Sequence, residues 1–143
     1  MKDQTIKRKR VAGIFLAMLA LLVAVCSCAT YNLRANLDET ARAYGITIRW
    51  KHFETAELFV ASSIRDQFEK QVSEVKDVEV TDYQIVHVDY DEAAKKATVS
   101  AEITYSKRTS NRIRTLIDKQ VWLYGDPKGS KQWYLMTLLP EFK

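Results

Sequence analysis

Cysteine, histidine and net charge are what this chain has least of, and each shortage removes a class of function. Its two cysteines, Cys26 and Cys28, both fall within the first 28 of 143 residues. Residues 29–143 therefore hold no thiol, so a disulfide framework, a thiolate nucleophile and a cysteine-ligated metal site are excluded there. The two histidines, His52 and His87, stand far apart without ligand-like spacing, which leaves no metal centre to build on them. No run downstream amounts to a catalytic motif, and none asks for a cofactor. The formal charge is +4, from 22 Lys and Arg against 18 Asp and Glu. Five of the positives (Lys2, Lys7, Arg8, Lys9, Arg10) and one negative (Asp3) lie in residues 1–28, leaving 17 against 17 in the rest. The basic balance belongs to the amino-terminal block, and a nucleic-acid partner loses its electrostatic support.

That block is the most informative segment present. The basic stretch runs into an uncharged, mostly apolar run from Val11 to Val25, then into Cys26-Ser27-Cys28-Ala29. This is the three-part layout of a secretory signal. The cysteine at its end resembles the lipobox of bacterial lipoproteins. Cleavage before Cys28 leaves the small Ser27 at the cut, whereas cleavage before Cys26 leaves the β-branched Val25 there. A protease resembling the lipoprotein signal peptidase demands Gly, Ala or Ser, so Cys28 is the expected lipidation site. Two other readings stay open. Ser27-Cys28-Ala29 also fits ordinary signal cleavage, and the segment can remain uncut as an anchor, although it is shorter than the roughly 20 residues a spanning helix wants. The resemblance implies a palmitate-bearing lipoprotein of the cell envelope. Ala29, rather than Asp, after the lipidated residue implies passage to the outer membrane, facing the periplasm.

The predicted organisation is a signal peptide over 1–28, a polar tether over 29–35 and a single domain over 36–143, long enough for one modest core. Asn36-Leu37-Asp38-Glu39 reads as a helix start, with Asn36 as cap and acids in the first turn. Leu37, Ala41, Tyr44 and Ile48 follow at helical spacing. Gly45 inside that helix costs about 1 kcal/mol against Ala, so another element packs closely there or the helix bends. A second helix is predicted from about Phe53 to Ala61, and a third from a cap at Ser63 through Phe68 and Val72 to about Val75. The second half reads as strand. Val78–Tyr90 slips in parity, Tyr83 and Ile85 on one face against Val86, Val88 and Tyr90 on the other, which implies a bulge or burial on both sides. Ala97, Val99, Ala101, Ile103 and Tyr105 alternate cleanly with polar residues. Ile113 to Leu123 and Trp133 to Leu139 mark a third and fourth strand, separated by the turn-rich Gly125–Gly129. Short connections imply an antiparallel meander, and helices first with a curved sheet second is an α+β plan.

Trp50-Lys51-His52-Phe53-Glu54-Thr55-Ala56 resembles the Trp-x-x-Phe/Tyr-Glu-x-Ala run of small bacterial lipoproteins in the nuclear-transport-factor-like (SnoaL-like or cystatin-like) superfamily. The ending Trp133-Tyr134-Leu135 through Leu138-Leu139-Pro140 is similar to theirs, and the element order fits from about residue 36 onward. The resemblance implies a cone-shaped domain, with a bent sheet wrapped round a long helix and a cavity between. Members include isomerases, dehydratases and proteins that only bind or assemble. No local motif carries a catalytic role onto a numbered position here, so no catalytic residue is assigned. The function expected is a non-catalytic binding or assembly module; the alternative is a small cavity enzyme with acid–base chemistry.

Individual candidates divide accordingly. His87 and Asp89 share parity on the first strand, where an Asp could orient a His as general base, but they read as solvated residues near the acidic turn. His52 reads as a cap or surface residue. Asp118, beside Lys119 in an apolar strand, reads as a surface charge, since charges are rarely buried unpaired. Lys107, Arg108, Arg112 and Arg114 cluster without an intervening acid and could hold anionic headgroups or an acidic partner; the plainer reading is a solvated hairpin that blunts a sheet edge. Trp122 and Tyr124, with Tyr134 and Met136 on the neighbouring strand, form a second apolar face. It is either core or an interface for another copy or an envelope protein.

Overall fold

The computed structural model describes residues 33–110, 112–125 and 131–143. The signal-like segment, Cys28 and the turn residues Asp126–Gly129 lie outside the described residues. Helix α1 covers 33–49, and Leu37, Ala41, Tyr44 and Ile48 are each at most 1 % exposed, so the helical stripe is core. Burying each of the larger of these side chains contributes about 1.5–3 kcal/mol. Asn36 is not the cap, because the helix already runs through it; its carbonyl accepts a bond from Thr40 Oγ1 at 2.7 Å.

The end of α1 explains the Trp50-Lys51-His52 run physically. Lys51 has φ 60, the His52 N–H bonds the Thr47 carbonyl at 2.8 Å, and the Lys51 N–H bonds the Ile48 carbonyl at 3.1 Å. Those two bonds are the Schellman pattern, with a lysine where glycine is usual. A non-glycine residue there costs about 1–2 kcal/mol. The Lys51 ammonium binds Glu79 Oε1 at 2.7 Å, which offsets part of that cost.

Helix α2 (Phe53–Ala56) is followed by a 3-10 turn, Glu57–Phe59, so the second predicted helix is shorter than its periodicity suggested. Helix α3 spans Arg65–Glu74 and buries Phe68. Its N-cap is Ile64, without a side-chain capping bond, and not the expected Ser63. No described helix is long and apolar enough to cross a membrane.

Strands β1 (Val78–Asp91), β2 (Lys96–Lys107), β3 (Arg114–Tyr124) and β4 (Trp133–Leu135) form one antiparallel sheet in the order β1-β2-β3-β4. The α+β plan, with three helices and four strands, is therefore present. Two register shifts interrupt β1, between Val80 and Asp82 and between Ile85 and His87. Each extra residue flips the parity. Val78 and Val80, then Tyr83 and Ile85, then Val88 and Tyr90 consequently all face the core, opposite the odd residues of β2. The parity slip after Ile85 is thus the second bulge, which leaves Val86 51 % exposed instead of on the face of Val88 and Tyr90; the first bulge was not expected.

Register also decides β3. Leu116, Asp118, Gln120 and Trp122 pair with Ile103, Ala101, Val99 and Ala97, so the even face of β3 is the core face. The odd face carries Ile117, 50 % exposed, and Ile113 just before the strand is 71 % exposed. The carboxyl-terminal segment returns along the core: Phe142 packs edge-on against Tyr105 at 5.0 Å, and the Leu139 N–H bonds Gln71 Oε1 at 2.9 Å.

Candidate functional site

The core face of β3 holds a polar chain that no sequence periodicity announces. Asp118 is 5 % exposed and Gln120 1 % exposed. One Gln120 Nε2 hydrogen goes to Asp118 Oδ2 at 2.7 Å, the other to the Tyr83 hydroxyl at 2.8 Å. The amide oxygen accepts from Trp122 Nε1 at 3.2 Å. The amide thus has both donors and its acceptor engaged, which fixes its orientation. β2 lies between β1 and β3, and the short Ala101 opposite Asp118 leaves room for the Gln120 amide to reach across to Tyr83. Tyr44 of α1 closes the cluster, its ring edge-on to Trp122 at 5.7 Å.

Burial governs the electrostatics here. Desolvation pushes Asp118 up to about 6, partly opposed by its bond from Gln120. Desolvation also raises both tyrosines, and the nearby Asp118 charge adds to the effect on each. The surface reading of Asp118 is therefore overturned. The sequence shows an Asp among apolar strand residues, but only pairing with Ala101 turns it inward, and only Gln120 makes its burial tolerable.

Beside this cluster a cleft of about 460 Å³ opens between α1 and β1. Asp38, Ala41, Arg42, Gly45, Ile46 and Arg49 form one wall, and Tyr83, Gln84, Ile85 and Val88 the other. Tyr83 belongs to both places: its ring lines the cleft while its hydroxyl is bound in the core. A smaller hollow of about 330 Å³, lined by Arg49, Trp50, Lys51, Glu79, Val80 and Thr81, shares Arg49 with the cleft. Neither Arg42 nor Arg49 forms an ion pair with a described carboxylate. The sequence signal for this cleft was Gly45, which marks a close approach between helix and sheet.

The other candidates are dispersed. His87 and Asp89 pair with Ser100 and Thr98 on the outer face and are exposed, so they do not enter the core or the cleft. His52 is exposed at the start of α2. Among the basic residues, Arg108 Nε donates to Glu79 Oε1 at 2.9 Å, and the hydrogen bonds donated by Lys51 and Arg108 hold the Glu79 carboxyl below its ordinary range. Arg112 is exposed, whereas Lys107 and Arg114 are half-buried. Their hairpin joins β2 to β3, the two inner strands, so it blunts no sheet edge. The edges are β1 and β4.

The second-face set divides as well. Trp122 pairs with Leu135 and Tyr124 with Trp133, whereas Tyr134 pairs with Leu123. Trp122 and Tyr124 thus point to the core side and Tyr134 to the opposite side. Trp122 has no exposed surface, Tyr124 and Met136 are half-buried, and Tyr134 is 6 % exposed. Trp122 cannot be part of an outward contact surface; the four residues do not share a face. Among the described residues no group of three His, Cys, Asp or Glu side chains is placed to hold a metal ion. Comparison with protein-family models, with curated proteins and with solved structures returned no match.

Proposed function

We propose that this chain is a lipid-anchored protein of the cell envelope, held at the outer membrane through Cys28 and working as a non-catalytic binding module of the nuclear-transport-factor-like kind. The observation that carries the binding reading is the contrast between the two neighbouring sites. The buried polar cluster spends Gln120's donors and acceptor on its own Asp118, Tyr83 and Trp122. The α1–β1 cleft next to it has open volume, aliphatic walls and two arginines with no ion pair among the described residues, which is what a ligand site needs. The membrane address rests on the signal-like segment and Cys28.

The test compares solvent extracts of full-length wild type and of the cleft-filling Ile46→Trp variant, purified from membranes and examined by mass spectrometry. Ile46 lines the cleft and is 59 % exposed, so the substitution leaves the core alone. A compound retained by wild type and lost from the variant supports the reading. Identical extracts overturn it.

A second reading, a small acid–base enzyme, has one observation in its favour. Asp118 is a buried carboxyl pushed up to about 6 between two tyrosines, in the range a general base needs. Against it, Asp118 is not among the residues lining the cleft. Chemical conversion of the retained compound by wild type but not by Asp118→Asn would establish the enzyme instead.

A further inference from the structure

We propose that the α1–β1 cleft is a site for a single-chain anionic amphiphile, its carboxylate or phosphate head on Arg49 and its alkyl chain lying along Ile46, Tyr83, Ile85 and Val88. This rests on the binding-module reading above and adds the ligand class. The volume of about 460 Å³ lies within the roughly 300–1,000 Å³ range of small-ligand sites.

Three features converge on that class. Ile46 is 59 % exposed on α1 although it is a large aliphatic residue, and across from it Ile85 and Val88 of β1 are only half-buried. The cleft therefore offers an uncovered apolar path. Arg42 and Arg49 flank Ile46 on the same helix, seven residues and so about 10 Å apart along its axis. Neither forms an ion pair with a described carboxylate, so the apolar path runs beside positive charge.

The direction of the ligand follows from the residues at the two ends. Asp38 lies one helical turn before Arg42 on the same wall, where its carboxylate offsets that arginine's field. Arg49 has no acid on the cleft wall near it; in the adjoining hollow, which it borders with Trp50, the carboxylate of Glu79 is already paired with Lys51 and Arg108. The head thus belongs at Arg49. The chain then runs toward Val88, with the stem of Arg42 laid over it as apolar cover. A polar metabolite would leave the aliphatic walls unused, and a cationic amphiphile would meet two guanidinium groups.

The test uses the full-length chain in nanodiscs of neutral phosphatidylcholine and a photoactivatable diazirine analogue of dodecanoate, with labelled peptides mapped by mass spectrometry. Labelling is expected within 41–46 and 83–88. Unlabelled dodecanoate and dodecyl phosphate should suppress it, the stronger competitor identifying the natural head. Dodecanol should compete weakly and dodecyltrimethylammonium not at all. Shortening the competitor by one methylene should weaken it by up to about fourfold. Arg49→Ala should weaken dodecanoate at least tenfold with unchanged circular dichroism, and Arg42→Ala less.

Labelling confined to other peptides overturns the proposal, as does equal competition by the cationic amphiphile. A copy-to-copy crosslink that fills the cleft and excludes dodecanoate overturns it in favour of self-association. Should wild type still retain a compound of another class that Ile46→Trp loses, the amphiphile proposal fails while the binding reading stands.

Discussion

Tyr83 occupies the space that a side chain on Gly45 would need. A Cβ built on Gly45 would overlap the ring at Cε1 and lie 2.6 Å from Cδ1. The glycine in the middle of α1 is thus what lets the helix settle onto β1, with the Tyr83 ring beneath it and the hydroxyl bonded to Gln120. It weakens the helix locally and permits both the close packing and the floor of the cleft.

Gly45→Ala should therefore destabilise, although alanine is the better helix former by about 1 kcal/mol. Overpacking against a ring held at both ends costs about 1–3 kcal/mol. In Tyr83→Ala the same substitution should turn neutral or stabilising. A double-mutant cycle by chemical denaturation reads the coupling directly; additive effects would show that the ring can yield.

Asp118 makes stability depend on pH in an unusual direction. Its folded value is raised to about 6 from an ordinary 3.8, so between these values the folded state holds the proton that the unfolded state releases. The contribution is complete below the ordinary value and is lost as pH rises through about 6. Its size is about 3 kcal/mol at most. Glu79 acts oppositely: its lowered value contributes stability above its ordinary range, which is lost as pH falls. Asp118→Asn should raise the denaturation midpoint at pH 7 and flatten the profile between pH 4.5 and 7. An unchanged profile would mean that Asp118 is solvated.

Trp122→Ala should cost about 3–5 kcal/mol, since the side chain is wholly buried and stacked edge-on with Tyr44. Trp122→Phe keeps most of the packing but leaves Gln120 Oε1 without its indole donor, at about 1–3 kcal/mol. Thermal melting measures both. Unchanged melting of Trp122→Ala would contradict the core position.

Lys51 separates backbone strain from its ion pair. Lys51→Gly removes the pair with Glu79 but relaxes the residue at φ 60, whereas Lys51→Ala removes the pair and keeps the strain. The glycine variant should be the more stable of the two by about 1 kcal/mol. Equal midpoints in urea would argue against the left-handed helix terminus.

On the anchor, Cys28→Ala should abolish incorporation of radiolabelled palmitate, and Cys26→Ala should leave it intact. The small Ser27 before Cys28 is the motivation. Labelling that survives the Cys28 substitution would move the lipid elsewhere.

Local periodicity in the sequence determined the stripe of α1, the alternation of β2 and the meander, because helix and strand repeats write burial directly into neighbouring residues. It even recorded one of the two bulges of β1, as the break in parity after Ile85. The lipobox-like run that ends at Cys28 is likewise a purely linear signal. Other features depended on partners distant in the chain. Arg108 belongs to a basic run by sequence, yet its guanidinium is tied to Glu79, 29 residues away. Trp122 and Tyr134 fall on opposite faces because β3 and β4 pair in a register that sets Trp122 against Leu135. Asp118 resembles a surface charge until Ala101 lies opposite it and Gln120 binds its carboxylate. A single-residue change of register inverts every side chain on a strand, while a buried charge survives only if a hydrogen-bond partner is delivered to it. Both conditions are set by contacts between strands, so only the tertiary structure decided which polar residues became core and where the cleft opened.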